Sequence, residues 1–279
     1  MPVEAYYRPT SKDKALDLAS EHGSSLEVIA GGTVMLPQYN DGYKFPERVM
    51  GLKEAGLDYI DNSNGKLILG STLTLNELIE QSDEPILQEA AKHCAGNTVR
   101  NQGTVGGNLF AQPPLGDLTV ALLALDADVK LERQGGERWI PVSEFHTGPG
   151  QTALEDDELV TEVAVPQVEG ETAYDKLTRN QEPAPGIVTV AANIVQDGGT
   201  ISKARVAANG AGSHPVRLEA AESVLDGASL DDSTIDEASE AAMDEADPPK
   251  DPVASSWYRS KMIRQYVSDA LQSIKEGSN

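Results

Sequence analysis

Apolar positions Ala15, Leu16, Leu18 and Ala19 recur at helical spacing between Lys12 and His22, after Thr10 and Ser11 and before Gly23. This pattern predicts a helix with an N-cap hydroxyl and a C-cap glycine. A short strand over 3–8 precedes it. A second strand over 26–30 runs straight into Gly31-Gly32-Thr33. Strand, helix and strand in so short a span make a βαβ beginning, an α/β signature.

A new pattern starts near residue 55. A strand covers 67–70, and Thr74-Leu75-Asn76-Glu77 fits a capping box, in which hydroxyl and carboxylate each satisfy a backbone group at a helix start. Residues 85–94 predict a helix stopped by Gly96, and 117–125 an apolar helix with Asp117 as its N-cap. Strands over 129–133 and 139–142 flank Gln134-Gly135-Gly136 as a hairpin, and 159–165 is a strand ended by Pro166. After a boundary at 167–173, strands are expected at 173–177, 187–194 and 203–208, with a turn at Asp197-Gly198-Gly199. The remainder is helix-like: 215–225, an acidic stretch to Ala246, and 255–274 after the proline-rich break 247–252.

With 279 residues the chain exceeds one typical core, so two or three compact units are expected. The net charge of −23 adds what the pattern does not show. Such a field repels nucleic acid and anionic lipid, and no basic cluster offsets it. The spread of acids is that of a solvated acidic surface, as in proteins of a high-salt cytoplasm. No apolar run reaches the roughly 18 residues that span a bilayer, and no basic-then-apolar leader opens the sequence, so a cytoplasmic location is expected. Cys94 is the only cysteine, which excludes an intrachain disulfide, and no iron–sulfur cluster held by this chain alone is expected, since one normally needs several thiolates. His22, His93, His146 and His214 show no ligand spacing, so no zinc site is expected and any redox metal belongs to a partner.

Two glycine-rich stretches are the candidates for chemistry. Ile29-Ala30-Gly31-Gly32-Thr33-Val34 follows a buried strand. Glycine there lets a ligand approach the backbone, and consecutive N–H groups can point at one anion; a tight strand-to-helix turn is the alternative. Arg100-Asn101-Gln102-Gly103-Thr104-Val105-Gly106-Gly107-Asn108 is too polar for a strand and too glycine-rich for a helix. It fits a second phosphate-facing loop, with the Thr104 hydroxyl and Asn108 amide as side-chain donors; an ornate hairpin is the alternative. It matches neither the Walker loop nor G-x-G-x-x-G. Asp117 is either an N-cap only or also an acceptor for ribityl or ribose hydroxyls. Lys176, alternating with Tyr174 on a strand, is either a surface lysine or a cation beside a flavin ring. Arg100 is expected to pair with an acid, and Cys94 to pack on a helix face. No acid–base constellation is readable, as expected where a cofactor carries the redox chemistry.

Ala30-Gly31-Gly32-Thr33 together with Thr104-Val105-Gly106-Gly107-Asn108 resembles the double FAD signature of the medium subunits of the molybdenum hydroxylases, as in aerobic carbon monoxide dehydrogenase and xanthine dehydrogenase. Ile68-Leu69-Gly70-Ser71-Thr72, Gly116-Asp117-Leu118 and Ala173-Tyr174-Asp175-Lys176-Leu177 extend the resemblance over nearly the whole chain. Val34 stands where that family often has a polar residue, and 180–185 lacks its Gly-Asp pair. The resemblance implies an α+β chain: a PCMH-type FAD-binding fold of two subdomains, 1–54 and 55–167, and a C-terminal α+β domain, 168–279. FAD is expected between the first two, with its pyrophosphate at the glycine loops. It also implies a large subunit with the molybdenum cofactor and a small subunit with two [2Fe–2S] clusters, in a dimer of heterotrimers. Electrons would pass to the flavin and then to a quinone or NAD. A self-contained flavoprotein oxidase of the same fold and a non-catalytic nucleotide-binding module are the competing readings.

Overall fold

The computed structural model describes residues 3–43, 45–113, 115–180 and 183–277. Near the N-terminus, β1 (Ala5–Tyr7), α1 (Lys12–His22), β2 (Leu26–Ile29), α2 (Met35–Asn40) and β3 (Arg48–Gly51) alternate. Both outer strands pair parallel with β3, in the order β1-β3-β2. Ser11 caps α1 by accepting from the Lys14 N–H, and the helix buries Ala15, Leu16 and Ala19. The βαβ expectation is thus met.

Next come β4 (Ile60–Ser63), β5 (Lys66–Gly70), α3 (Leu75–Gln81), α4 (Pro85–His93), α5 (Asn97–Arg100), α6 (Val105–Leu109) and α7 (Asp117–Ala124). They are followed by β6 (Asp128–Arg133), β7 (Gly136–Pro141), the short pair β8 (His146–Gly148) and β9 (Gln151–Thr152), and β10 (Leu159–Pro166). One antiparallel sheet runs β4-β5-β10-β6-β7 among the described residues. The Thr74–Glu77 capping box forms in full, with the Glu77 carboxylate accepting from the Thr74 N–H at 2.9 Å.

The third region contains β11 (Glu171–Thr178), β12 (Gly186–Asp197), β13 (Thr200–Asn209), β14 (Val216–Arg217), α8 (Glu219–Leu225), α9 (Asp232–Glu245) and α10 (Ser256–Gly277). Its sheet is antiparallel in chain order. Here the expectation of one helix over 215–225 fails: Val216 and Arg217 pair with Ala208 and Ala207, and the helix starts only at Glu219. Sheet pairing with a distant strand overrides local helix preference there. α10 buries Ile263, Val267, Ala270, Leu271 and Ile274 at helical spacing against the sheet.

α7 joins the second and third regions. All eight of its residues are buried, and it lies between α4 on one side and β12 and β13 on the other. Each of its leucines and its valine contributes about 1.5–3 kcal/mol by leaving water. Asp126, just beyond α7, adopts the left-handed conformation (φ 51°) that a short polar side chain tolerates. It receives Arg205, Arg217 and Lys203 from the third region, each at 2.8 Å. No helix among the described residues is long and apolar enough to cross a membrane.

Candidate functional site

β2 ends at Ile29, whose carbonyl accepts from the Leu52 N–H at 2.9 Å, and Ala30 carries the chain off the sheet edge. The turn reverses at Gly32, where φ is +70° and a side chain would press on Leu36 and Ile29. Val34 occupies the N-cap position of α2 and offers no side-chain cap. Among the described residues, the N–H groups of Gly31, Gly32, Thr33 and Val34 have no acceptor within the chain. A row of unsatisfied, half-buried amides is a seat for an anion, and α2 begins directly behind it.

The second stretch is built differently. It is not a hairpin but two short helices, α5 and α6, joined through Gly103. Its glycines serve close packing, which local composition does not reveal. A Cβ on Gly106 would lie 2.7 Å from the Ser71 Cβ, and Thr104 pairs with Thr74 in an isolated bridge beside the capping box. Most of its amides are satisfied internally: Gly103 to Val99, Val105 to Leu73, Gly106 to Ser71, Asn108 to the Thr104 carbonyl. The Thr104 hydroxyl oxygen caps its own helix, accepting from the Gly107 N–H at 3.0 Å. A Cβ on Gly107 would meet only that hydroxyl, at 2.9 Å, so the space beyond it stays open to a ligand.

The two stretches touch. A Cβ on Gly31 would overlap the Gln102 carbonyl oxygen, and Thr33 Oγ1 lies 3.7 Å from where a Gly103 Cβ would be. The contact sets the free amides of the first loop beside the turn that leads into α6. Backbone at this closeness, with donors unspent, fits the pyrophosphate of a dinucleotide; a side chain at Gly31 would force the two stretches apart, and a bulky one at Gly107 would enter the open space.

Asp117 and Lys176 form a second focus. The expected N-cap role of Asp117 is wrong: the cap position is Gly116, at φ 92°, and Asp117 is the first residue inside α7. Its carboxylate, 2% exposed, accepts from Lys176 Nζ at 2.9 Å and from Thr189 Oγ1 at 3.1 Å. Lys176 also donates to the His93 carbonyl at 2.7 Å. With 1% of its side chain exposed, Lys176 is no surface lysine. Burial pushes the Asp117 carboxyl above the ordinary carboxylate range, and the Lys176 ammonium beside it opposes the push.

The amide of Asn108 does not reach outward as expected. Oδ1 accepts from the Thr119 N–H and hydroxyl, and Nδ2 donates to Cys94 Sγ at 3.5 Å, so Asn108 ties α6 to α7. Cys94 sits at the C-cap of α4, and burial pushes its thiol up to about 12. Among the described residues Arg100 pairs with no acid; it donates to Asn76 Oδ1 and to the carbonyls of Lys92 and Ala95, closing the last turn of α4. Sequence reasoning missed Gly186 and Thr189. A side chain at Gly186 would strike Thr189 Oγ1 (2.9 Å) and Lys176 Cε (3.3 Å), so the glycine lets the start of β12 pack directly against the buried ion pair. The signal was a glycine directly after Pro185 at a strand start. Of the departing segment 180–185, Gln181 and Glu182 lie outside the described residues.

Comparison with known proteins agrees with this geometry. Residues 2–168 match the FAD binding domain in molybdopterin dehydrogenase, and residues 172–274 match the CO dehydrogenase flavoprotein C-terminal domain. The chain is 33% identical to the 6-hydroxypseudooxynicotine dehydrogenase complex subunit alpha of Paenarthrobacter nicotinovorans, over 97% of this chain and 94% of that one. It is 30% identical to the xanthine dehydrogenase FAD-binding subunit of Escherichia coli O157:H7, over 96% and 92%. A solved carbon monoxide dehydrogenase from Hydrogenophaga pseudoflava superposes with a TM-score of 0.91 at 30% identity, over 97% and 96%. The α+β fold, the double glycine signature and these full-length matches give one conclusion: the chain belongs to the FAD-binding medium subunits of the molybdenum hydroxylases, oxidoreductase components of the carbon monoxide and xanthine dehydrogenase type.

Proposed function

We propose that this chain is the electron-relay subunit of a three-subunit molybdenum hydroxylase in the cytoplasm. A large subunit carries the molybdenum cofactor and oxidises the substrate, and a small subunit carries two [2Fe–2S] clusters. Electrons pass from those clusters to the flavin held here and on to a quinone or NAD, in a dimer of heterotrimers. The observation that supports this best is the row of unspent amides at Gly31–Val34 pressed against the Gln102–Gly103 backbone. It binds an anion without a lysine, in a chain whose net charge of −23 repels anions at long range. The single cysteine agrees with clusters on another chain.

Bound FAD supplies one- and two-electron redox chemistry. The chain's own residues bind and orient it. Gly31, Gly32, Thr33 and Val34 offer backbone donors to the pyrophosphate, Ile29 and Ala30 lead into them, and Thr104, Val105, Gly106, Gly107 and Asn108 form the facing wall. Asp117 and Lys176 set a carboxylate and an ammonium beside the flavin. Residues 1–54 and 55–167 are read as the two subdomains around the cofactor and 168–279 as the unit that closes over it. The acidic surface is read as an adaptation to high salt.

Purification of the chain from its native host tests the assignment. Co-purification with molybdenum and iron, and flavin bleaching on addition of the substrate of the large subunit, are expected. A lone chain bleached by its own substrate would overturn the relay role. A colourless protein that takes up no FAD would overturn the cofactor assignment.

A further inference from the structure

The N-terminal unit is loosely joined to the rest of the chain for a part that supplies half of a cofactor seat. Its three strands form a separate sheet, and among the described residues no backbone hydrogen bond links residues 3–54 to residues 60 and beyond. α1 does the joining. Its Ala15, Leu16 and Ala19 pack with Leu159 of β10. Its first residue, Lys12, reaches β6, where Nζ donates to both Glu132 oxygens, at 3.0 and 3.2 Å. Glu132 is buried, with 8% of its side chain exposed. Burial alone would push its carboxyl up, but the Thr161 hydroxyl and the Lys12 ammonium outweigh that and hold it below the ordinary range. Thr161, in β10, carries the contact further. Its hydroxyl donates to Glu132, and its carbonyl accepts from the Ser71 N–H at 2.9 Å. Ser71 is the residue against which Gly106 of the second loop packs. A continuous path of bonds and contacts thus runs from α1 through Glu132 and Thr161 to the second glycine loop.

The lysine end of the tie is equally well placed. β1 and β2 run the same way, so the helix between them runs back, and Lys12 at its start lies at the end of the sheet where β2 gives way to Gly31. We propose that Lys12 and Glu132 are positioning residues for the flavin, locking the N-terminal unit on the middle sheet so that Gly31–Val34 faces the second loop. The inference rests on the reading that FAD lies between those loops. Lys130 Nζ lies 3.6 Å from the same carboxylate, so Glu132 keeps a counter-charge when Lys12 is removed. What goes is alignment rather than charge balance: α1 can then shift on its apolar contacts, and the cleft is competent in only part of the molecules.

Full-length Lys12→Met, Lys12→Arg, Glu132→Gln and the Lys12→Met/Glu132→Gln double variant are titrated with FAD by flavin fluorescence beside the wild-type chain. Lys12→Met is expected to bind about tenfold more weakly, as when about a tenth of the molecules hold a competent cleft. The FAD-free variant should still unfold at nearly the wild-type temperature. Glu132→Gln keeps an acceptor for Thr161 and should weaken FAD as much. The double variant should lose nothing further, because both changes remove the same bond. Lys12→Arg restores the ion pair and should recover most of the affinity. Wild-type affinity in Lys12→Met would overturn the proposal. So would additive losses in the double variant, an arginine variant as weak as the methionine one, or a loss of affinity that merely follows a fall in unfolding temperature. Gly107→Val is run in parallel: if it retains FAD the flavin-site reading itself fails, whatever the Lys12 variants do.

Discussion

The two glycine loops look alike in sequence and do opposite things. In Gly31–Val34 the amides are unspent and the backbone is held open by a left-handed turn. In Gly103–Asn108 nearly every amide is bonded inside the chain, and the glycines let α6 lie against Ser71. One loop is a donor surface and the other a wall that places it. Glycine abundance alone therefore does not locate a phosphate seat. What matters is whether the N–H groups have acceptors, and only the folded chain answers that.

Four substitutions or conditions separate the two roles. Gly31→Ala should have the largest effect, because its Cβ meets a backbone carbonyl that has no rotamer to escape into. A loss of about 3 kcal/mol in denaturant unfolding, together with loss of FAD, is expected. A stable, flavinated variant would show that the loops are not in contact. Gly107→Val comes next: its retained-FAD fraction after gel filtration should fall close to zero while the FAD-free chain unfolds at nearly the wild-type temperature. If stability falls instead, the second loop is purely a wall.

Thr104→Ala is milder. It removes the cap on Gly107, and about 1 kcal/mol of stability is expected to go, with only modest weakening of FAD. Equal loss of FAD and stability would give the hydroxyl a ligand-facing role after all. The smallest effect is a pH dependence. His146 stacks on His214 and meets Phe145 edge-on, and Phe145 meets Phe110 just beyond the second loop. Burial, with His214 next to it, depresses His146 from 6.5 to about 4, so the neutral ring is the one the fold favours. Its stabilisation is complete above pH 6.5 and is lost as pH falls toward 4. Acid unfolding of His146→Phe should therefore be shifted to lower pH; an unchanged acid limb would detach this stack from the stability of the second loop.

Much of the architecture was legible because it rests on local rules. The helix at Lys12–His22 follows from its caps and spacing, and the Thr74–Glu77 box from two residues that satisfy each other. What escaped the sequence depends on residues far apart in the chain. Asp117 has the sequence signature of an N-cap, but its partner is 59 positions away in β11. Lys176 alternates as a surface residue would, and is covered because α4 and α7 close over it. Val216 and Arg217 belong to a helical pattern and are claimed by β13. In the site itself, residue identities were readable and their tasks were not: Asn108 turned inward to α7, and the Thr104 hydroxyl oxygen caps its own helix.

The contact between Gly31 and Gln102 has a consequence for how the protein comes to hold its cofactor. If the flavin sits where we propose, neither segment of chain contains a complete seat, and flavin capture reports that two distant stretches have docked. A fragment ending before residue 55, mixed with the remainder of the chain, should turn yellow only on reassembly. Colour would then serve as a direct count of correctly joined molecules.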